Sequence, residues 1–411
     1  MKVKYLSILV KIAWRNIWRS RLRSGAVVTA VALGLWAGIF VSAFMYGISH
    51  QRLNTILRTQ LSHIQLHWPG FADNMEPDLL IHDPDSIIAF ISQKPAVSGV
   101  SGRLITTGMV TSPTTGTGVV IKGVVPEHES QVTDIHEKII QGTFLGASRK
   151  NQIVIGERLA EKLHIKLHAK IVISMQDVHG NIVSGAFRVE GIYKTNSSKY
   201  DEANVFILFN DMAMLMGTGG SLHEIAILLH DEAQLEPLSK QLAAVLPDLQ
   251  VDTWKTLAPE LNFINQIMDE YLQIFMTIIL LAMAFGIINT MLMAVLERVR
   301  EIGMLMAIGM NRIKIFLMIM LETILLTFTG VPFGLIMSLL TIHILNKTGV
   351  DLSLFARGLA SFDIDTIIYP SLDTGFYPAL IGMVALTAVL SSVYPALKAL
   401  QLKPATAIRT I

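Results

Sequence analysis

Four long apolar segments constrain the fold of this chain more than any other feature of its sequence. They run over residues 25–48, 271–296, 315–345 and 376–397, and the first, second and fourth contain no Asp, Glu, Lys or Arg. A helix needs about 20 mostly apolar residues to cross the hydrocarbon core of a bilayer. The composition agrees, because 52% of the residues are hydrophobic and only 16% are charged. The sequence therefore predicts four transmembrane helices.

The distribution of Lys and Arg predicts which side of the membrane each connection faces. Residues 1–24 contain basic residues and no acidic residue, and basic residues outnumber acidic ones over 297–314 and 398–411. Residues 346–375 are acid-biased. Cytoplasmic loops carry an excess of Lys and Arg. Both termini are therefore predicted to be cytoplasmic, with residues 346–375 on the opposite side.

The segment before the first span predicts an amphipathic helix. Arg15 and Arg19 recur at helical spacing on one side, while apolar residues including Trp14 and Trp18 occupy the other. Such a helix lies in the headgroup layer of the membrane, so residues 1–24 are predicted to form an elbow that leads into the first span. That span is longer than the roughly 7 to 15 residues of a signal-peptide core, and we expect it to be retained.

The segment between the first two spans is long enough for a domain with its own core. Over residues 61–258, short β-branched and aromatic runs alternate with helical patterns, which predicts an α/β or α+β domain. Asp85 and Asp231 are the expected N-caps of two of its helices, and residues 111–118 are expected to form a surface loop. The predicted helices are 85–92, 157–163 and 231–245, and the predicted strands are 63–68, 119–125, 153–155, 170–175, 186–193, 204–209, 224–229 and 249–254.

Several motifs that carry chemistry are absent from the sequence. There is no G-x-x-x-x-G-K-[ST] phosphate loop, and the His-Glu pairs that begin at His136 and His223 each lack the second His of an H-E-x-x-H zinc motif. The chain has no Cys, which excludes a thiolate metal site and a cysteine nucleophile. We therefore expect no catalytic residue, no metal site and no cofactor in this chain. The formal net charge of +1 gives no indication of a nucleic-acid partner.

The turn between the second and third spans predicts a short cytoplasmic helix. Residues 297–314 begin with charged side chains and continue with an apolar stripe of Ile302, Met304, Leu305, Met306 and Ile308. This stripe either lies on the membrane or fits a groove in a soluble partner, and the residue pattern alone does not choose between them.

The third span contains one acidic residue, Glu322. An unpaired carboxylate inside a membrane is unfavourable by about 2.5 to 3.5 kcal/mol, so Glu322 is expected to be protonated, paired or near the interface. A structural hydrogen bond is favoured over a proton relay because the other spans offer no second acid. The patterns Gly34-x-x-x-Gly38 and Gly330-x-x-x-Gly334 permit close helix packing.

Short motifs in both halves of the chain resemble one known superfamily. Those of the membrane segments are Glu297-Arg298-x-Arg300-Glu301-Ile302-Gly303-x-Leu305-x-Ala307-x-Gly309, Leu321-Glu322, Tyr394-Pro395-Ala396-x-x-Ala399 and Pro404-Ala405-x-Ala407-Ile408-Arg409. Those of the outer domain are residues 121–124, 153–160 and 189–193. Together they resemble permease subunits of the MacB, lipoprotein-releasing and FtsX superfamily of ABC transporters, and the outer-domain motifs are most similar to the lipoprotein-releasing members. The resemblance covers essentially the whole chain.

The resemblance implies a membrane protein with four transmembrane helices and a large α+β periplasmic domain inserted between helices 1 and 2. The implied parts are the elbow helix 1–24, the first span and stalk 25–60, the MacB-like periplasmic domain 61–258, the stalk and second span 259–296, the coupling helix 297–314, the third span 315–345, the short periplasmic loop 346–375, the fourth span 376–397 and the cytoplasmic tail 398–411.

The resemblance also implies how such a chain works. In that family two permeases pair with two cytoplasmic ATPases, which bind the ATP and Mg, and the helix between spans two and three docks on the ATPase. The residues that this implies for ATPase coupling are Glu297, Arg298, Arg300, Glu301, Ile302, Gly303, Met304, Leu305, Met306, Ala307 and Gly309. Lipoprotein-releasing members hold acyl chains between the permeases near spans one and two, which by location alone makes candidates of Phe40, Phe44, Met45, Ile267, Met268 and Phe275.

The implied function is the ATP-driven release of lipoproteins or a similar amphiphile from a bacterial inner membrane. The expected partners are an ABC ATPase dimer, a second copy or paralogue of the permease, membrane lipid and a periplasmic lipoprotein carrier. Two alternatives stay open. One is an FtsX-like signalling scaffold that activates a cell-wall hydrolase, and the other is a MacB-like exporter of drugs or peptides.

Overall fold

The structure is a computed structural model that describes residues 2–146, 149–359, 364–373 and 375–401. The motif from Pro404 to Arg409 and most of the predicted tail lie outside the described residues. The chain divides into two compact units. The helical unit consists of Met1–Ser49, Gln266–Asp351 and Ile367–Ile411, and the sheet unit consists of His50–Asn265 and Leu352–Thr366.

Long helices make up most of the helical unit, and the sheet unit contains shorter helices. In chain order the α-helices are α1 Lys2–Arg19, α2 Arg21–Ile56, α3 Phe71–Asn74, α4 Pro84–Ser92, α5 Pro126–Val132, α6 Glu157–Leu163, α7 Ser198–Ala203, α8 Phe209–Met216, α9 Leu235–Val245, α10 Trp254–Leu257, α11 Pro259–Glu297, α12 Val299–Ala307, α13 Arg312–Thr348, α14 Ala356–Leu359 and α15 Phe376–Leu400.

Four of the described helices are long and apolar enough to cross a membrane, as the sequence predicts. They are α2, which continues as a π-helical turn to Leu61, and α11, α13 and α15. The helices are longer than the apolar segments, because α2 runs past Ile48 and α11 begins at Pro259, well before Tyr271. Polar residues therefore extend two of the spans beyond the hydrocarbon thickness.

Glycines hold the apolar helices in close contact. A Cβ added at Gly334 would lie 2.9 Å from the carbonyl oxygen of Ala32, and one added at Gly330 would lie 2.9 Å from the Cβ of Val31. A Cβ at Gly38 would lie 2.9 Å from the Sδ of Met276. The pattern Gly34-x-x-x-Gly38 therefore marks a contact of α2 with α11, and Gly330-x-x-x-Gly334 marks a contact of α13 with α2.

Replacing Gly334 by Leu is expected to destabilise the helical unit by about 1–3 kcal/mol, because the new side chain must displace the backbone of α2. The measurement is the midpoint of thermal unfolding of the purified chain in detergent. The control is Gly382→Leu on α15, since a Cβ at Gly382 has no heavy atom within 4 Å. Equal midpoints for the two variants would contradict the packing argument.

The sheet unit is built on one mixed sheet. Its strands are β1 Ile64–His67, β2 Val97–Thr111, β3 Gly116–Val124, β4 Ile139–Gly142, β5 Gln152–Gly156, β6 Lys170–Gln176, β7 Ile182–Tyr193, β8 Asn204–Leu208, β9 Glu224–Leu229 and β10 Gln250–Thr253. The strand order is β10-β1-β9-β2-β3-β8-β5-β7-β4, and β6 pairs with both β2 and β7. The pairs β3–β8 and β5–β7 are parallel and the others are antiparallel. This is the α+β class that the sequence predicts. Two short strands of the helical unit, β11 Val350–Asp351 and β12 Ile367–Ile368, form a separate ladder.

The structure corrects three details of the predicted sheet unit. Strand β2, which the sequence pattern misses, has 15 residues and pairs with β3, β6 and β9. The predicted surface loop over 111–118 is shorter than expected, because the turn between β2 and β3 is confined to residues 112–115 and the other four residues belong to the two strands. Asp85 is not an N-cap, since α4 begins at Pro84 after a left-handed Asp83. Asp231 does cap a helical turn, because its side chain accepts a hydrogen bond from the backbone N–H of Ala233.

Candidate coupling site

The site is centred on α12, the short helix between the second and third apolar helices. Arg298 occupies its N-cap position, with α11 ending one residue earlier at Glu297. At the other end Gly309 has a φ of +97°, a conformation that favours glycine. The N–H of Gly309 donates to Met306 and the N–H of Met310 donates to Leu305, which is a Schellman C-cap. Gly309, predicted as a docking residue, thus also ends the helix.

One face of α12 is buried inside the helical unit. Ile302 is 4% exposed and packs with Val295, Ile315 and Ile319. Gly303 is buried as well. Ile302 therefore does not belong to an exposed apolar stripe, contrary to the sequence prediction, because α12 packs against the N-terminal end of α13.

The opposite face of α12 leaves apolar side chains in the open. Met304 is 46% exposed and Ile308 is 86% exposed. Arg300 and Ala307 are also exposed, whereas Leu305 and Met306 are half-buried. These residues remain candidates for contact with a soluble partner, and the apolar pair of Met304 and Ile308 is termed the α12 ridge below.

Three charged residues predicted to take part in ATPase coupling form ion pairs within the chain. Glu297 pairs with Arg23 of α2. Glu301 lies 2.7 Å from Arg19 of α1. The Nη1 of Arg298 donates to Glu322 of α13 at 2.8 Å, and its Nη2 donates to the backbone carbonyl of Asn16 at 3.0 Å. The sequence prediction missed these pairs, which tie α12 to its neighbours.

Glu322 is the buried acid of the third span, and the structure gives it a partner. It is 8% exposed and accepts the hydrogen bond from Arg298. Of the states expected from the sequence, the paired one is observed. This arrangement fits the structural hydrogen bond that the sequence analysis favours.

The six predicted substrate-cavity residues lie on α2 and α11. Phe40, Phe44 and Met45 are half-buried on α2, where the rings of Trp36, Phe40 and Phe44 stand in a row at centroid spacings of 6.3 Å. On α11, Ile267 is exposed while Met268 and Phe275 are half-buried. A cavity of about 420 Å³ does lie in the helical unit, but none of the six lines it; its wall includes Tyr46, Leu272, Gln273, Met276, Phe376 and Met383. The assignment of the six residues stays a prediction.

A charged network in the core of the sheet unit has no counterpart in the sequence prediction. Arg103 of β2 is 1% exposed and donates to Glu129 at 2.8 and 2.9 Å and to Glu224 at 2.6 Å. Although burial opposes ionisation, the Arg103 cation lowers the pKa of Glu224 to about 2. Nearby, burial and repulsion from Arg103 lower the pKa of Lys122 to about 8, and its Nζ donates to the hydroxyl of Tyr200 at 3.2 Å.

Hydrogen bonds hold His223 in the same core. The Nδ1 of His223 accepts from the N–H of Ile105 at 3.1 Å, its Nε2 lies 3.1 Å from the carbonyl of Pro77, and burial lowers its pKa to about 4. Among the described residues, no group of three His, Asp or Glu side chains is placed to hold a metal ion. His223 itself is fully buried in the sheet unit.

The buried position of His67 between two carboxylates predicts that the stability of the sheet unit depends on pH. Its Nε2 lies 3.3 Å from Glu224 and its Nδ1 lies 3.7 Å from Asp252. Burial disfavours the imidazolium, but the two carboxylates outweigh it and raise the pKa of His67 from 6.5 to about 9. A group whose pKa is raised on folding contributes its full stabilisation of the folded state at pH values below its unfolded-state pKa. The contribution of His67 is therefore complete below pH 6.5 and is lost as the pH rises through 9.

We expect the wild type to lose up to about 3 kcal/mol relative to His67→Gln between pH 6.5 and pH 10. The measurement is the unfolding midpoint of both proteins across this range. Comparing the two proteins removes the titration of Lys122, which they share. A difference that does not change with pH would show that His67 is not charged in the folded state.

Two known families match consecutive parts of the chain. The MacB-like periplasmic core domain family matches residues 24–245, which is more than half of the chain. The FtsX-like permease C-terminal family matches residues 273–404, a range that contains α12.

Individual proteins are similar over most of the chain at modest identity. The lipoprotein-releasing system transmembrane protein LolC of Neisseria meningitidis is 22% identical over 403 residues, which cover 93% of this chain and 92% of that protein. The macrolide export ATP-binding/permease protein MacB of Campylobacter jejuni is 22% identical over 395 residues, which cover 90% of this chain and 59% of that protein. The crystal structure of the periplasmic region of MacB from Actinobacillus actinomycetemcomitans aligns at 13% identity with a TM-score of 0.36, covering 53% of this chain and 98% of that one.

Proposed function

We propose a function for this chain from the premise that it belongs to the MacB, LolC and FtsX family of ABC transporter permeases. The chain is a permease subunit that converts ATP hydrolysis by a partner ATPase into movement of its sheet unit. That movement releases lipoproteins or a similar amphiphile from a bacterial inner membrane. The observation that carries the proposal is α12, whose start is tied into the helical unit while the α12 ridge, Met304 and Ile308, is left exposed.

The proposed topology places the sheet unit in the periplasm, between the first and second spans. Both termini and α12 are then cytoplasmic, in agreement with the excess of Lys and Arg over 1–24 and 297–314. The continuation of α2 to Leu61 and the early start of α11 at Pro259 support stalks that carry movement outward from the membrane. The domain boundaries proposed from the sequence follow the same division.

The proposed assembly contains two permeases, identical or paralogous, and two ATPases. ATP and Mg bind to the ATPases, since the sequence of this chain has no phosphate loop. The ATPases contact the α12 ridge, where two exposed apolar side chains fit a groove of a soluble partner. Membrane lipid and a periplasmic lipoprotein carrier are the further proposed partners, and no nucleic acid is involved.

Lipoprotein release is proposed ahead of the alternatives because LolC is named for that activity, and the alignment of this chain with LolC covers nearly the full length of both proteins. This chain spans only 59% of the MacB relative, whose name includes an ATP-binding part. Export of macrolides and activation of a cell-wall hydrolase are the competing functions, and both share the ATPase-driven movement.

Release from lipid nanodiscs tests the proposed substrate. The chain is purified with the ATPase and any second permease encoded beside it, and reconstituted with a fluorescent triacylated lipoprotein and the purified periplasmic carrier. We expect lipoprotein to move to the carrier with ATP and not with a non-hydrolysable analogue. A complex that hydrolyses ATP but leaves the lipoprotein in the disc, and that captures a cell-wall hydrolase or confers macrolide resistance, would contradict this substrate and support an alternative.

A further inference from the structure

Six charged side chains join the start of α12 to the helices around it. They form three ion pairs, each with one partner on α1, α2 or α13. The three pairs are termed the elbow clamp and are Arg19–Glu301, Arg23–Glu297 and Arg298–Glu322. All six lie in the helical unit. Glu301 lies in α12 and Glu297 ends α11, and each is neutralised by an arginine of a neighbouring helix.

The three pairs differ in strength because they differ in exposure. The side chains of Arg19 and Glu301 are 64% and 40% exposed, and water and salt screen such a pair to a small net effect. The side chains of Arg298 and Glu322 are 16% and 10% exposed. Removing one partner of a buried pair leaves an uncompensated charge, which is strongly unfavourable. Arg298–Glu322 is therefore the pair that dominates the clamp.

Arg298 is placed to connect three helices at once. It occupies the N-cap position between α11 and α12, where its φ of −102° and ψ of 14° leave the helical conformation. One arm of its guanidinium holds Glu322 of α13, and the other holds the backbone carbonyl of Asn16 in α1. The planar guanidinium donates several hydrogen bonds in a fixed geometry. When α12 is displaced, the Arg298 guanidinium therefore moves α1 and α13 with it.

We propose that Arg298 is a positioning residue that makes α1, α12 and the cytoplasmic end of α13 move as one body when the partner ATPase displaces α12. This deepens the proposed function and rests on it. Without the Arg298–Glu322 pair, the ATPase still docks on the α12 ridge, but α12 moves independently of the elbow and the third span. ATP hydrolysis is then uncoupled from movement of the sheet unit.

The first test uses the permease alone and does not depend on any ATPase. The chain contains no Cys, so a single Ile302→Cys substitution gives one thiol on the buried face of α12. We expect Arg298→Gln to raise its reaction rate with a polar maleimide by about tenfold or more, because α12 opens away from α13. The exposed Arg300→Gln is the matched control and leaves the rate unchanged.

Charge exchange separates a specific pair from general damage. The double variant Arg298→Glu with Glu322→Arg restores the ion pair with its polarity reversed but not the hydrogen bond to Asn16, and we expect it to return the thiol to partial protection. If Arg298→Gln fails to fold, the thiol reactivity of this double variant tests the proposal in its place. A rate in Arg298→Gln equal to that of wild type, or an exchange variant that stays fully reactive, would overturn the proposal.

The second test measures coupling in the complex with the ATPase. A fluorophore on Ile182→Cys, which is 82% exposed on the sheet unit, reports ATP-dependent movement. We expect Arg298→Gln to retain ATPase binding and ATP hydrolysis while the ATP-dependent signal falls by roughly fivefold or more, and Arg298→Lys to recover part of it. A full signal in Arg298→Gln would overturn the clamp. A wild-type chain that binds no ATPase would instead contradict the proposed function, and thiol protection would still decide the clamp.

Discussion

Replacing Arg103 by Ala is expected to destabilise the sheet unit by about 3–5 kcal/mol, a large part of the total stability of a typical domain. Arg103 neutralises both Glu129 and Glu224 in a core where all three side chains are nearly inaccessible to water. Its removal leaves two buried carboxylates with too few donors, because Ser101 and Thr133 bond only Glu129. The remaining contact of Glu224 with His67 does not compensate for the loss of the arginine.

Urea unfolding of the full chain measures this loss, in a background where Trp14, Trp18, Trp36 and Trp68 are changed to Phe so that Trp254 is the one remaining tryptophan fluorophore. Trp254 is 2% exposed and lies in the core of the sheet unit. The control is Arg149→Ala, since Arg149 pairs with Glu190 on the surface, where its side chain is 72% exposed. We expect the control to lose less than about 1 kcal/mol. Similar losses for the two variants would contradict the assigned role of the buried network.

Changing both residues of the α12 ridge to Glu is expected to weaken ATPase binding by more than roughly a thousandfold. Met304 and Ile308 are the most exposed large apolar side chains of α12 and its C-terminal turn, and the proposed docking buries both. Each central apolar contact of an interface contributes about 2 kcal/mol or more. Each new carboxylate would also lose water on docking without gaining a partner. The dissociation constant of the detergent-solubilised permease and its ATPase gives the result.

The matched control places the same substitution on another exposed isoleucine. Ile182→Glu changes a residue of β7 that is 82% exposed, far along the chain from α12. Its ATPase affinity should equal that of wild type. If the ridge variant binds as tightly as this control, the partner does not dock on α12.

Hydropathy predicted the membrane helices well because it is a local property of the sequence. Twenty or so apolar residues have few alternatives to a membrane helix, and the four predicted spans fall within the four long helices. Strand β2 was missed because Gly99, Gly102 and Gly108 interrupt its β-branched pattern. The structure explains two of these glycines by close approach, since a Cβ at Gly99 would lie 2.5 Å from the carbonyl oxygen of Gln131 and one at Gly108 would lie 2.6 Å from that of Ser174.

The elbow clamp could not be predicted from sequence because its partners are distant along the chain. Arg19 and Glu301 are 282 positions apart, and Arg298 and Glu322 are 24 apart on different helices. The motif that contains Arg298 and Glu301 suggested one shared role in docking, whereas the structure divides it between an outer face and internal ion pairs. The buried network around Arg103 was missed for the same reason, since Glu224 lies 121 positions away. The two charges meet only when β2 pairs with β9.

Purification of the full chain with the ATPase encoded nearest to its gene, followed by ATP hydrolysis in lipid nanodiscs, tests the central claim most directly. The account predicts a stable complex in which hydrolysis depends on the permease and is lost when Met304 and Ile308 are changed to Glu. A permease that purifies without an ATPase, or an ATPase whose rate is the same with wild-type permease, with the ridge variant and without permease, would contradict the claim.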